Sequence, residues 1–110
     1  MKKYSVGFIT LKLKSSFKSL RDSKYENKQL WDNINNAMDR LEMNTELGIR
    51  IPRKLWPKIY IKKYKIDNLW KYDLPQGWRL LYTIKKDDLL IMSIILEWLP
   101  HKEYEKKFKY

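Results

Sequence analysis

Residues 69–100 read LWKYDLPQGWRLLYTIKKDDLLIMSIILEWLP, and this stretch decides the fold class. Over 69–74, Trp70, Tyr72 and Leu74 alternate with Lys71 and Asp73, the period of two that marks a half-buried strand. Pro75-Gln76-Gly77 then reads as a tight turn. Over 78–84 the alternation returns, with Trp78, Leu80, Tyr82 and Ile84 on one face and Arg79, Leu81 and Thr83 on the other. Lys86-Asp87-Asp88 makes a second turn. Residues 89–98 are apolar on both faces until Glu97, as a central strand is. Pro100 ends that strand, and His101 to Phe108 reads as a short terminal helix.

Upstream, Val6, Phe8, Ile9, Thr10 and Leu11 favour a strand over 4–11, and Leu13, Phe17 and Leu20 recur at helical spacing. Ser23 and Glu26 have the spacing of a capping box, which predicts a long helix from there to about Leu47. Its apolar stripe is Leu30, Ile34, Ala37 or Met38, and Leu41, with Gly48 as the closing residue. Pro52 and Pro57 punctuate 49–67, where a short helix fits Pro57 to Lys65 with Pro57 at its first position, and Asp67-Asn68 reads as a turn. There is no internal repeat. The order predicts an α+β domain: an antiparallel sheet, made of the N-terminal strand plus a C-terminal three-strand meander, with the N-terminal helices packed on one face. The other face then collects Lys71, Asp73, Arg79, Thr83, Ser93 and Glu97, which is either a functional strip or the solvated side of the sheet.

The 110 residues fit one domain, 1–110, and 44% hydrophobic with 15% aromatic residues suffice for a core. Cysteine is absent, which excludes disulfides and thiolate metal sites. Lys12 and Lys14 break the first apolar stretch too soon for a signal peptide, and the run Leu89–Leu96 falls short of the roughly 20 residues of a membrane span. The chain therefore reads as a soluble cytoplasmic protein with no membrane contact. The net charge of +11 favours a polyanionic partner, because each neutralised phosphate releases counterions; a lysine-rich solvated surface is the alternative. The charge is uneven. Residues 1–21 carry six positive and no negative charges, 22–48 carry three positive and six negative, and 49–71 carry eight positive and one negative.

Gly77-Trp78-Arg79-Leu80-Leu81-Tyr82, followed by a charged turn and an apolar strand, resembles the aromatic–Arg–apolar–apolar–Tyr strand of the RelE/ParE superfamily of toxin domains. His101-Lys102-Glu103-Tyr104 resembles that family's closing segment, and Asn68-Leu69-Trp70-Lys71-Tyr72 the strand before the Arg strand. The resemblance covers 68–104. It implies a single RelE-like domain that is often toxic, with a cognate antitoxin protein that wraps and blocks it. RelE-like members cleave messenger RNA on the ribosome, whereas ParE-like members inhibit DNA gyrase. The chain differs from RelE-like nucleases in offering only Lys71 and Asp73 on the strand before the Arg strand, and in a longer region around Pro52 to Tyr64.

RNA cleavage of this kind needs no metal and no cofactor. It needs a titratable group near neutrality, fixed cations for the phosphoryl oxygens and an aromatic to hold a base. His101 is the sole histidine and suits acid or base work, or else caps the terminal helix. Arg79 has a planar fork for phosphate, or else forms a structural ion pair with Glu97 or Asp73. Tyr104 stacks on a base or gives a proton, or covers the core edge. Glu97 is a candidate base or an ion-paired carboxylate, as is Glu103, and Lys71 and Lys102 are phosphate contacts or surface lysines. Lys62, Lys63 and Lys65, interleaved with Tyr60 and Tyr64, form a candidate RNA-contacting patch or the wet face of a helix. Trp31, Trp70, Trp78 and Trp98 read as core and Trp56 as partly exposed. No P-loop, Gly-rich dinucleotide turn or nucleophile elbow is present, and one histidine without cysteine argues against zinc. A gyrase-binding protein and a non-catalytic RNA- or ribosome-binding module are the other readings.

Overall fold

The computed structural model describes residues 2–109. Strands β1 (Lys3–Phe8), β2 (Ile49–Arg50), β3 (Trp70–Asp73), β4 (Trp78–Lys86) and β5 (Leu90–Pro100) form one sheet in the order β1-β5-β4-β3-β2. Helices α1 (Leu11–Arg21), α2 (Tyr25–Leu41), α3 (Lys58–Tyr64) and α4 (His101–Phe108) cover it. The α+β class and the β3–β4–β5 antiparallel meander follow the reading of the sequence. One pairing departs from all-antiparallel: β1 runs parallel to β5, Lys3 opposite Leu90 through Phe8 opposite Ile95. The helical pair α1–α2 carries the chain from β1 at one edge to β2 at the other, and the chain comes back to pair with β1 only through β3, β4 and β5, a connection long enough for a parallel pairing. Strand β2, two residues long, adds an edge that the alternation of 49–67 did not disclose.

The N-terminal helices pack on one face. Phe17 from α1 and Leu30, Ile34, Ala37 and Leu41 from α2 bury against Leu80, Tyr82 and Ile95 of the sheet. Val6, Phe8, Trp31, Trp70, Trp78 and Trp98 close the rim of this core. Thr10 caps α1 by accepting from Leu13 N at 3.0 Å. The anticipated capping box at Ser23 does not form. Its hydroxyl donates back to Ser19 O at 2.9 Å, so Ser23 finishes α1, and α2 starts after Lys24 without a side-chain cap. Helix α2 stops at Leu41 rather than Leu47, and residues 45–47 form a 3-10 turn capped by Asn44. Gly48 is extended, not left-handed, and its role is steric. A Cβ there would lie 2.5 Å from Lys71 O and 2.6 Å from Tyr82 Oη.

The opposite face is not an open polar strip. Helices α3 and α4 cover it, and Ile51, Trp56, Tyr60, Ile66, Leu69, Leu81, Leu96, Tyr104 and Phe108 form a second core. Two sequence expectations fail here. Trp56, expected to be partly exposed, is buried and donates its indole N–H to Ile51 O at 2.8 Å. Ser93 lies on the α1–α2 side. A bulge between β4 and β5 sets Leu81 opposite Glu97 but Tyr82 opposite Ile95, so Leu96 is extra and every residue before it changes face. Ser93 therefore sits opposite Ile84 and Val6, fully buried. Pro57 precedes α3 as its cap rather than opening it.

Candidate nucleic-acid site at the start of α4

The turn 75–77 and the end of β5 bring two distant residues together. Gln76 and Gly77 adopt positive φ, which turns the chain into β4 so that Arg79 lies opposite Leu99 and beside the first turn of α4. Pro100 is the cap of α4, and His101 is its first residue. Arg79 Nη2 consequently donates toward His101 Nδ1 at 3.4 Å, although 22 residues separate them.

The guanidinium is tied down on its other nitrogens. Nη1 donates to Trp78 O at 3.2 Å, and Nε lies 3.0 Å from Asp73 Oδ1, an ion pair without the alignment of a hydrogen bond. Asp73 sits opposite Arg79 in the β3–β4 register and also accepts from Lys71 Nζ at 3.0 Å. Lys71 and Arg79 both lie over the Tyr104 ring, 5.7 and 5.8 Å from its centroid. His101 Nε2 meets a carboxylate oxygen of Glu105, one turn along α4. Two cations, two carboxylates and an imidazole thus surround one point, and the His101 side chain keeps 55% of its surface exposed there.

The structure gathers Lys71, Arg79, His101 and Tyr104, and Lys102 follows His101 on the exposed side of α4. Tyr104 does not offer a ring face to a base. It is 3% exposed and stacked on Phe108 at 4.5 Å, so it serves as the floor beneath the cations. Glu97 belongs to a separate cluster. It accepts from the Tyr60 hydroxyl and pairs with Lys107 Nζ at 3.1 Å. Burial first, and the hydrogen bond to Glu97 second, push the Tyr60 hydroxyl far above the usual tyrosine range. Tyr60 is therefore core, not an RNA contact, whereas Lys62, Lys63 and Lys65 are exposed on and after α3. Lys63 and Tyr64 share a shallow cavity of about 260 Å³ with Lys12 and Ser16 of α1, where the two basic segments of the sequence meet. Glu105 was missed in the sequence, yet its i,i+4 spacing from His101 on a helix is a legible signal. No protein-family model, curated protein or solved structure matches the chain.

Proposed function

We propose that this chain is a RelE-like, metal-independent endoribonuclease acting on ribosome-bound messenger RNA, the toxin of a pair whose antitoxin is a separate protein. The approach of Arg79 to within 3.4 Å of His101 supports the reading most. A permanent cation with a phosphate-shaped fork stands beside an imidazole, the residue type suited to proton transfer, and together they supply two of the parts that transesterification at phosphorus asks for. In this reading His101 takes the proton of the ribose 2′-hydroxyl. The 2′-oxygen bonds to phosphorus as the bond from phosphorus to the 5′-oxygen breaks, and the leaving oxygen takes a proton from water. Arg79, seconded by Lys71, stabilises charge on the phosphoryl oxygens. Lys102 and the exposed Lys62, Lys63 and Lys65 hold flanking phosphates. The test is cell-free translation with purified protein, followed by mapping of message ends. Cleavage by wild type that Arg79→Ala and His101→Ala each reduce about 100-fold or more is the expected result. Intact message, or equal cutting by both variants, refutes it.

A second reading, a non-catalytic RNA- or ribosome-binding module, draws on one specific observation: Asp73 is already ion-paired with both Lys71 and Arg79, which leaves the three groups one net positive charge. It expects RNA binding that weakens steeply with salt and no new message ends.

A further inference from the structure

We infer that Glu105 is a positioning residue which, with Arg79, holds His101 as the Nε2–H tautomer and leaves Nδ1 as the proton-accepting nitrogen of the site. The argument is one of donors and acceptors. Arginine carries only donors, and an ionised carboxylate carries only acceptors. Arg79 Nη2 faces Nδ1, so Nδ1 must present its lone pair. Glu105 faces Nε2, so Nε2 must carry the hydrogen. The two neighbours select the same tautomer from opposite sides of one ring. They stand on different elements, β4 and α4, so the ring is fixed in orientation as well as in protonation. The charged groups around it are Arg79 of β4, Asp73 and Lys71 of β3 behind that guanidinium, and Glu105 with the neighbouring Lys102 on α4. Gly77 lies near the base of the His101 side chain: a Cβ on it would lie 3.5 Å from His101 Cβ, and the turn brings no charge.

The consequence for chemistry rests on the RNA-cleaving reading. A phosphate drawn to Arg79 displaces the Nη2–H from Nδ1 and lies against the lone pair thereby released. The 2′-hydroxyl hydrogen then passes to Nδ1 while Glu105 stabilises the imidazolium through Nε2–H, the division of labour of any base held by a third group. A ring turned the other way would aim its hydrogen at the guanidinium and have no basic nitrogen at the phosphate.

His101 is the sole histidine, so ring-labelled protein gives one imidazole to observe. Long-range proton–nitrogen spectra of full-length protein labelled with ¹⁵N-histidine, recorded in mildly alkaline buffer, are expected to show Nδ1 bare and Nε2 protonated. Glu105→Ala and Arg79→Ala are each expected to move both nitrogens toward the averaged positions of a mobile tautomer mixture. Glu105→Gln, which keeps an acceptor, is expected to restore the wild-type pattern. Tryptophan fluorescence reports that each variant is folded. In the cleavage assay Glu105→Ala is expected to lose about tenfold or more, with partial recovery in Glu105→Gln. Nδ1 protonated in wild type, or ring signals that neither alanine variant moves, overturns the inference. A wild type that cuts message with averaged ring nitrogens sinks this inference alone. A fixed tautomer in a protein that leaves message intact sinks the cleavage reading and leaves the assignment of the ring standing.

Discussion

Replacing Tyr82 with phenylalanine isolates the contact that fastens the 45–48 segment to the sheet. The Tyr82 ring is fully buried, and its hydroxyl donates to Thr45 O at 2.7 Å and accepts from Gly48 N–H at 3.1 Å. Phenylalanine keeps the ring and strands both backbone groups. Each group left without a partner costs about 1–3 kcal/mol, less for the partly exposed Gly48 amide, so the variant is expected to lose about 2–4 kcal/mol. For a domain of this size that lowers Tm by roughly 8–15 °C. A second arm uses pH. Burial first raises the Tyr82 hydroxyl, to about 12, against the hydrogen bond from Gly48, which lowers it. The folded value exceeds the ordinary value of 10.0, so the contribution is complete below the unfolded value and is lost as pH rises toward the folded one. Across that window the loss is about 2–3 kcal/mol, at roughly 1.4 kcal/mol per pH unit. Lysine deprotonation is common to both proteins and cancels in the difference. Urea unfolding followed by tryptophan fluorescence should therefore show a stability gap at about pH 8 that has mostly closed by about pH 12. A gap below about 0.5 kcal/mol at the lower pH would show that water replaces the hydroxyl, and a gap constant with pH would show that the hydroxyl is not buried.

Other perturbations test the remaining packing. Gly48→Ala is expected to destabilise by about 2 kcal/mol or more, and adding Tyr82→Phe is expected to give no rescue, because the Lys71 carbonyl 2.5 Å from the new Cβ is backbone and cannot swing away; a double variant more stable than Gly48→Ala alone in denaturant melts would refute this. Ser93→Ala is expected to be neutral or to stabilise by about 1 kcal/mol, since the buried hydroxyl has no hydrogen-bond partner among the described residues; a loss above that size in the same melts would mean that the hydroxyl is satisfied. Asp87 accepts from the amides of Leu89 and Leu90 at 2.8 Å each, and these hydrogen bonds hold its carboxyl below the ordinary 3.8. Its contribution is present above that value and lost as pH falls through the folded one, so Asp87→Ala is expected to flatten the acid limb of the stability curve; an unchanged limb would refute the turn's role.

From the sequence alone came the α+β class, the antiparallel meander and the apolar stripe of α2, because each rests on local periodicity that burial on one side imposes. Leu30, Ile34, Ala37 and Leu41 had to share a helix face, and Trp70, Leu80 and Tyr82 a sheet face. Arg79 and His101 could be marked as candidates by residue type. Their convergence could not be read that way, since it depends on the positive-φ turn at Gln76 and Gly77 and on the direction in which α4 leaves Pro100. The rest was decided by contacts distant in the chain. The extra residue at Leu96 carried Ser93 across the sheet, and no local pattern announces a bulge inside a run of apolar residues. Trp56 and Tyr60 looked like surface aromatics among lysines, and became core because α3 and α4 fold back over Leu81 and Leu96. Periodicity reports that a side chain needs cover; which element supplies it is settled only when separate segments compete for the same apolar surface.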